Sequence, residues 1–441
     1  MATRRHRPRM HLAQFLVHGP TFHSLAMWRH PRTDVSLKWS EPELYQHIAR
    51  VCEKACFDMV FFADLNYISD TYTGSMAPVL RTAAQAPEHD PVPLLSFMAA
   101  ATRRIGLGAT LSVSHHHPFY VARLWATLDH LTRGRAGWNV VTSINHNLDA
   151  NFGADRPPAD ARYDRAHEFI QVCRKLWESW EPDAVVADRE NAVFADPAKV
   201  HRIEHAGPFF RSRGPLNVVR SPYGGPAILQ AGTSPKGRDF AAKYADAIFA
   251  IRPRAEDAAR YFADIKGRMG EIGRDPDHCR ILFGMQPIIG ESEAEALDKQ
   301  AEHNLLVPDE GGLAILSAHM DFDLSRVPLD AILAGRSEPE LQRMQTRFLR
   351  ADGTPMTALE VARRHGQSVG LPQFVGTAKS VADQMEAFMD SVGGDGFMIS
   401  PIYCPGAIEE FCASVVPELQ RRGRFRSRYE GRTAREILRE G

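Results

Sequence analysis

The 441-residue sequence predicts one (β/α)8 TIM barrel, an α/β fold with insertions over its C-terminal face. Three observations predict it. Short apolar, strand-like runs alternate with helical patterns along nearly the whole chain, as a parallel sheet joined by crossover helices requires. Eight such runs can be counted, the number that closes a barrel. Two segments, GRAGWNVVTSINHNLDANFG from Gly134 to Gly153 and QAGTSPKGRDFAAKYAD from Gln230 to Asp246, carry an apolar strand straight into polar side chains and then a helix. A barrel delivers reactive groups to its C-terminal rim in this way.

In chain order, the first strand spans His11 to Val17, and Ser40-Glu41-Pro42-Glu43 has the capping-box spacing that opens a helix to about Cys56. The strand Met59 to Ala63 ends in Asp64. After a Tyr-rich loop, Asp90 and Pro91 start a helix leading to the strand Ile105 to Ser112. The segment Tyr120 to Leu131 leads in turn to the strand Ala136 to Thr142. A helix opening at Tyr163 carries an apolar face through Val172, Leu176 and Trp180. The later strands are Ala227 to Ala231, Ala247 to Ile251, Ile281 to Ile289 and Gly396 to Ser400. Two long intervals, 181–226 and 303–372, interrupt the rhythm. Segments of that length inside one domain are expected over the barrel mouth or at a subunit contact.

Hydrophobic residues make up 44% and charged residues 24%, with no apolar run long enough to cross a membrane. No signal-peptide core precedes Met10, so the cytoplasm is the expected compartment. The formal net charge of −1 argues against general attraction to nucleic acid. The basic ends, Arg4 to Arg9 and Arg421 to Arg428, read as solvated tails. Six cysteines without a CxxC pair suggest buried thiols, neither a zinc site nor a disulfide framework.

The chemistry concentrates at strand ends. Ser234, before Pro235, is placed to cap a helix whose free N–H groups face an anion of phosphate size; Thr233 precedes it on the same turn. Asn139 lies inside a strand, where an inward amide needs partners that a flat heteroaromatic ring can supply. Asp64 and Thr110 occupy comparable strand-end places. Tyr163 can hydrogen-bond a phosphate, stack on a ring, or simply wedge its helix against the barrel. His23 lies on the first loop and is a candidate catalytic or substrate-orienting residue. Histidines at His18, His23, His30 and His115 to His117 invite a metal reading. It is disfavoured, because three consecutive side chains cannot aim at one ion and no His-x-His ends the first strand. Phe15, Phe22, Trp28, Tyr67, Tyr72 and His115 to His117 are expected to line the mouth. That mixture suits an aromatic or heterocyclic substrate better than an amino-polycarboxylate. No Gly-x-Gly-x-x-Gly follows a strand, so no nicotinamide fold is expected.

GRAGWNVVTS, Asn151-Phe152-Gly153, RYDRAHEF, QAGTSPKGRDFAAKYAD, WRHP near the start and FFAD at Phe61 to Asp64 together resemble the nitrilotriacetate monooxygenase component A family, within the bacterial-luciferase-like superfamily. The resemblance covers nearly the whole chain. It implies a barrel that binds reduced FMN supplied by a separate NAD(P)H:FMN reductase, uses O2 to form a flavin C4a-hydroperoxide, and oxygenates a small organic substrate. It further implies flavin contacts at Asp64, Thr110, Tyr163 and Ser234, with Ser234 near the phosphate and Asn139 near the isoalloxazine, and a homodimer or homotetramer. One position departs: several relatives carry histidine where this chain has Ala159, and His146 or Arg162 is the candidate replacement. A deazaflavin-dependent oxidoreductase and a non-catalytic flavin-binding protein are the alternative readings.

Overall fold

The computed structural model describes residues 8–143, 145–155, 158–342, 344–350 and 352–440, with the side chains of Ala159, Asp160, Thr346 and Arg347 outside the description. Eight parallel strands close the barrel: β1 (His11–Val17), β2 (Met59–Ala63), β3 (Gly106–Ser112), β4 (Ala136–Val141), β5 (Ala227–Gln230), β6 (Ala247–Ala250), β7 (Arg280–Ile289) and β8 (Gly396–Ile399). Each pairs with its sequence neighbour, and β8 pairs with β1 in the register His11↔Gly396 to seal the ring. The expected strands fall within one residue of those observed. Their nearly continuous apolar composition follows from burial on both faces, since β1 and β3 are buried at all seven positions. The interior is packed: a Cβ at Gly108 would come within 2.8 Å of Met59 Sδ and 2.9 Å of Leu229 Cδ1. Outside the ring, Trp138 of β4 stacks on Trp125 at 5.9 Å and donates its indole N–H to Leu111 O.

A ninth short strand, Gln373–Gly376, was not anticipated. β7 is ten residues long; its first half pairs with β8, and Gln286 to Ile289 pair with this extra strand. The segment 303–372 folds largely as helices, Asp309–Met320 and Ala358–Ser368 among them, and lines the cavity at the mouth. The segment 181–226 runs elsewhere. It descends the outer wall, where Trp180 Nε1 donates to Leu216 O and His130 meets Val219 O, and reaches the N-terminal end of the barrel at Asp129 and Ser221.

Three further expectations need correction. Ser40 caps nothing: the helix is Pro42–Lys54, flanked by Glu41 with no side-chain cap, because Pro42 already supplies a residue with no N–H to satisfy. The helix expected from Tyr163 to Trp180 begins earlier, spanning Ala159–Trp177. The C-terminal arginines are not solvated tails. Arg424 and Arg426 are buried, Arg426 pairing with Asp58 and Glu440 and Arg424 with Glu386 and Asp390. Arg422 joins Asp383, Glu386 and Glu418. Arg421 and Arg428 are exposed, and residues 1–7 lie outside the description. Among the described residues, no helix is long and apolar enough to cross a membrane and no three metal-ligating side chains cluster. Five cysteines are buried and Cys412 partly so.

Candidate active site

Three adjacent strands build the floor of the site. Thr110 near the end of β3 donates to Phe62 O at 2.9 Å and accepts from Asn139 Nδ2 of β4 at 2.8 Å. This relay fixes the amide with its Oδ1 as the remaining acceptor. That atom is buried without a hydrogen-bond partner, although Asn139 is only 4% exposed. A buried carbonyl without a donor costs about 1–3 kcal/mol, so its place in the wall of a cavity marks where a ligand N–H belongs. The cavity, about 220 Å3, is lined by Asp64, Tyr67, Thr110, Asn139, Ser143 and Asn145 among others.

Asp64, just past β2, completes this floor. Burial, reinforced by the charge of Asp90, pushes its carboxyl up to about 7, against the opposing pull of hydrogen bonds from Asn66 and the Leu65 N–H. Glu88 lies beneath it, accepting from Leu65 N at 3.1 Å, and burial together with Asp64 drives its carboxyl well above the usual range. The sequence reading missed Glu88 altogether. A glutamate in a loop carries no local sign that it will be covered.

The second half of the site is the turn after β5. Ser234 caps the helix Pro235–Tyr244 and accepts from Gly237 N at 3.1 Å. Tyr163 approaches from its own helix so closely that a Cβ at Gly237 would sit 2.6 Å from its hydroxyl oxygen, and one at Gly232 2.8 Å. The two glycines make a cradle in which a phenol, a serine hydroxyl and a helix N-terminus converge. Tyr261 Oη donates to Gly232 O, and Arg238 Nε to Thr233 O, steadying the turn from the outside. Tyr261, Arg238 and Arg252 were not anticipated. The Arg238 and Arg252 guanidinium groups pack on the Tyr261 ring at 5.4 and 4.7 Å.

Between these halves lies the main cavity, about 820 Å3, which shares Leu65, Tyr67 and Asn145 with the smaller one. His23 and Thr233 line it, with Arg238, Arg252, His319 and Met344. His23 is stacked on Phe15 at 3.7 Å and is 6% exposed. From the insertion, His319 reaches the same space, held by His365 at 2.8 Å and Gln85 at 2.7 Å.

Asp64, Thr110 and Asn139 thus share one cavity, His23 and Thr233 the adjoining one, and Tyr163 and Ser234 the glycine cradle beside Thr233. Several residues expected at the mouth are elsewhere. Phe22 and Trp28 line a separate outer cavity of about 520 Å3, and Tyr72 packs among the insertion helices. His115 pairs with Asp149 and stacks on Phe152, His116 meets Ser112 O, and His117 caps the helix Pro118–Thr132. His146 pairs with Asp321 and Asp70, and so ties a strand-end loop to the insertion. The Ala159 side chain lies outside the description.

A profile described as luciferase-like monooxygenase matches residues 21–396. The chain belongs to that family. Among its relatives, the dibenzothiophene-sulfone monooxygenase of Rhodococcus erythropolis (strain XP) is 42% identical over 437 residues, covering 97% of this chain and 96% of the relative. Nitrilotriacetate monooxygenase component A of Aminobacter aminovorans is 37% identical, covering 93% and 92%. The crystal structure of DmoA from Hyphomicrobium sulfonivorans superposes with a TM-score of 0.91 at 34% identity, covering 98% and 92%. This luciferase-like chain is therefore an enzyme of the two-component flavin-dependent monooxygenases, and its closed eight-stranded barrel is the fold expected from the sequence.

Proposed function

We propose that this chain is the oxygenase of a two-component system, receiving reduced FMN from a separate NAD(P)H:FMN reductase and using O2 to oxygenate a small, aromatic or heterocyclic organic substrate. The observation that carries the reading is the partnerless Asn139 Oδ1 in the floor cavity, together with the capped helix N-terminus at Ser234. The donor set fits FMN: a buried acceptor for a ring N–H at one end, and a helix N-terminus with two hydroxyls for the phosphate at the other. When bound, reduced FMN supplies the electrons for oxygen activation.

The chain's own part is positioning and exclusion of water. Thr110 holds Asn139 in the orientation that presents Oδ1, and Ser234, Tyr163 and Thr233 hold the phosphate end. Asp64, titrating near neutrality, can hold or release a proton at its carboxyl beside the ring site. His23, pinned by Phe15, faces the adjoining cavity, where it orients the substrate or donates a proton to it. The helix Asp309–Met320 and the residues after it line that space through Ala318, His319 and Met344 and cover it. A flat substrate is favoured by the His23 ring in the lining, which Phe15 and Phe249 back at 3.7 and 6.0 Å.

The test is a product screen by mass spectrometry with reductase, FMN and 18O2. Incorporation of one labelled oxygen atom into an aromatic or heterocyclic compound supports the assignment. Oxygen consumption that yields only hydrogen peroxide across the panel, with no labelled organic product, refutes it.

A further inference from the structure

At the N-terminal end of the barrel, opposite the active-site mouth, the structure holds a second polar cavity of about 370 Å3. It lies where the segment leading into β5 (Pro226) and the residue before β6 (Asp246) meet the ends of the helices Ala159–Trp177, Pro235–Tyr244 and Ala434–Arg439. Its walls carry six cations, Arg174, Arg220, Lys243, Arg274, Arg435 and Arg439, against two carboxylates, Glu178 and Asp246. Four positive charges are in excess.

Part of that excess has a structural explanation. Arg174, Lys243 and Arg439 stand in the last turns of the three helices, where cations offset the negative end of the helix dipole. Three helix ends carry at most about half a charge each, which leaves two to three positive charges uncompensated. Ion pairing does not absorb them. Asp246 is taken by Arg435 at 3.1 Å and Arg439 at 3.8 Å. Among the described residues, Arg174, Arg220, Lys243 and Arg274 have no carboxylate within 4.0 Å. Arg274 donates to Ala242 O and Ala245 O, and burial lowers its pKa, with Cys279 and Asp246 opposing the shift and Arg174 and Arg439 adding to it. Arg174 and Lys243 rest on the ring of Tyr244 at 4.9 and 5.4 Å, with nothing anionic between them.

We propose that this cavity binds a compact polyphosphate-type anion, the pyrophosphate group being its defining chemistry. Guanidinium groups match phosphate oxygens in pairs, and a cleft lined by several cations attracts a multiply charged oxyanion more strongly than a singly charged one. Two rings stand in the lining: Tyr244, which is buried and covered by Arg174 and Lys243, and the half-buried Trp177, so the six cations and not an aromatic platform dominate the pocket's chemistry. The cavity lies at the opposite ends of the helices Ala159–Trp177 and Pro235–Tyr244 from Tyr163 and Ser234, and it shares no lining residue with the cavities at the mouth.

The test is isothermal titration calorimetry of the full chain with sodium pyrophosphate at low ionic strength, with ADP and inorganic phosphate as comparison ligands. Pyrophosphate is expected to bind saturably and at least tenfold more tightly than phosphate. ADP no tighter than pyrophosphate identifies the free anion as the source, whereas tighter binding of ADP identifies a nucleotide diphosphate. The double variant Arg174→Gln, Lys243→Gln, at two exposed positions, is expected to weaken pyrophosphate at least tenfold and leave FMN affinity unchanged. A control pair with the same change in net charge, Arg50→Gln with Lys54→Gln on the helix Pro42–Lys54, is expected to have no effect. Absence of saturable binding at millimolar pyrophosphate, or equal weakening by both pairs, overturns the proposal.

Discussion

Replacing Asp64 by Asn should stabilise the folded protein, and only at pH values where the wild-type carboxyl has to ionise. Burial and the neighbouring Asp90 raise this carboxyl to about 7 in the folded chain. In the unfolded chain it titrates at the ordinary value near 4. Below pH 4 the group is protonated in both states and contributes no difference. Between 4 and 7 the unfolded chain releases the proton and the folded chain keeps it, so stability falls as pH rises; above 7 the full cost is present. A displacement of about three pH units corresponds to about 4 kcal/mol as an upper bound. Water reaches this cavity-lining side chain, so about 2–3 kcal/mol is the working expectation. Asparagine keeps the shape and can still accept from Asn66, whose Nδ2 lies 3.0 Å from Asp64 Oδ2. The assay is urea denaturation of wild type and variant across pH 4.5 to 8.5. The variant's advantage should be small at the acid end and grow to its plateau above pH 7. An advantage that is constant with pH, or largest in acid, refutes the argument.

Three other outcomes follow from the same geometry. If Ser234 holds the phosphate as proposed, Ser234→Ala should weaken FMN by about 1–3 kcal/mol, the worth of one charge-assisted hydrogen bond, read by fluorescence titration; an unchanged dissociation constant takes Ser234 out of the site. His23→Ala should slow product formation while FMN affinity stays nearly intact, and a collapse of that affinity would instead assign His23 to the cofactor. Arg426→Met removes the guanidinium partner of Asp58, which is fully buried and keeps only His11 Nδ1 at 2.6 Å and the Leu12 N–H at 2.7 Å, and should cost about 3–5 kcal/mol in urea denaturation, whereas a loss below about 1 kcal/mol would show that those two partners suffice.

Much of this architecture is written locally in the chain. Strands such as Gly106–Ser112 are apolar on both faces, so their composition alone separates them from the amphipathic helices between. Ser234-Pro235 is equally local, because a cap and the first turn it serves are neighbours in sequence. What sequence could not show depends on distant partners. Arg426 looks like part of a basic tail until Asp58, 368 positions away, is folded against it. Glu88 meets the Leu65 N–H after β2 only once the two loops are folded together. The histidines at His115 to His117 drew attention by type, yet each is satisfied by a nearby loop or helix end. The Ser40 box had the right spacing and failed because Pro42 had already started the helix.

The pairing of Gln373–Gly376 with the second half of β7 has a mechanical consequence. The segment that covers the mouth does not hang from the barrel by two loose ends. Its return end is sewn into the wall by a four-residue parallel ladder, Gln286↔Gln373 through Ile289↔Gly376, continuous with the strand that also carries β8. Opening the mouth by swinging the whole cover would require unzipping part of the barrel. Access to the main cavity is then left to the part of the cover upstream of that seam, while the wall it is sewn into stays fixed.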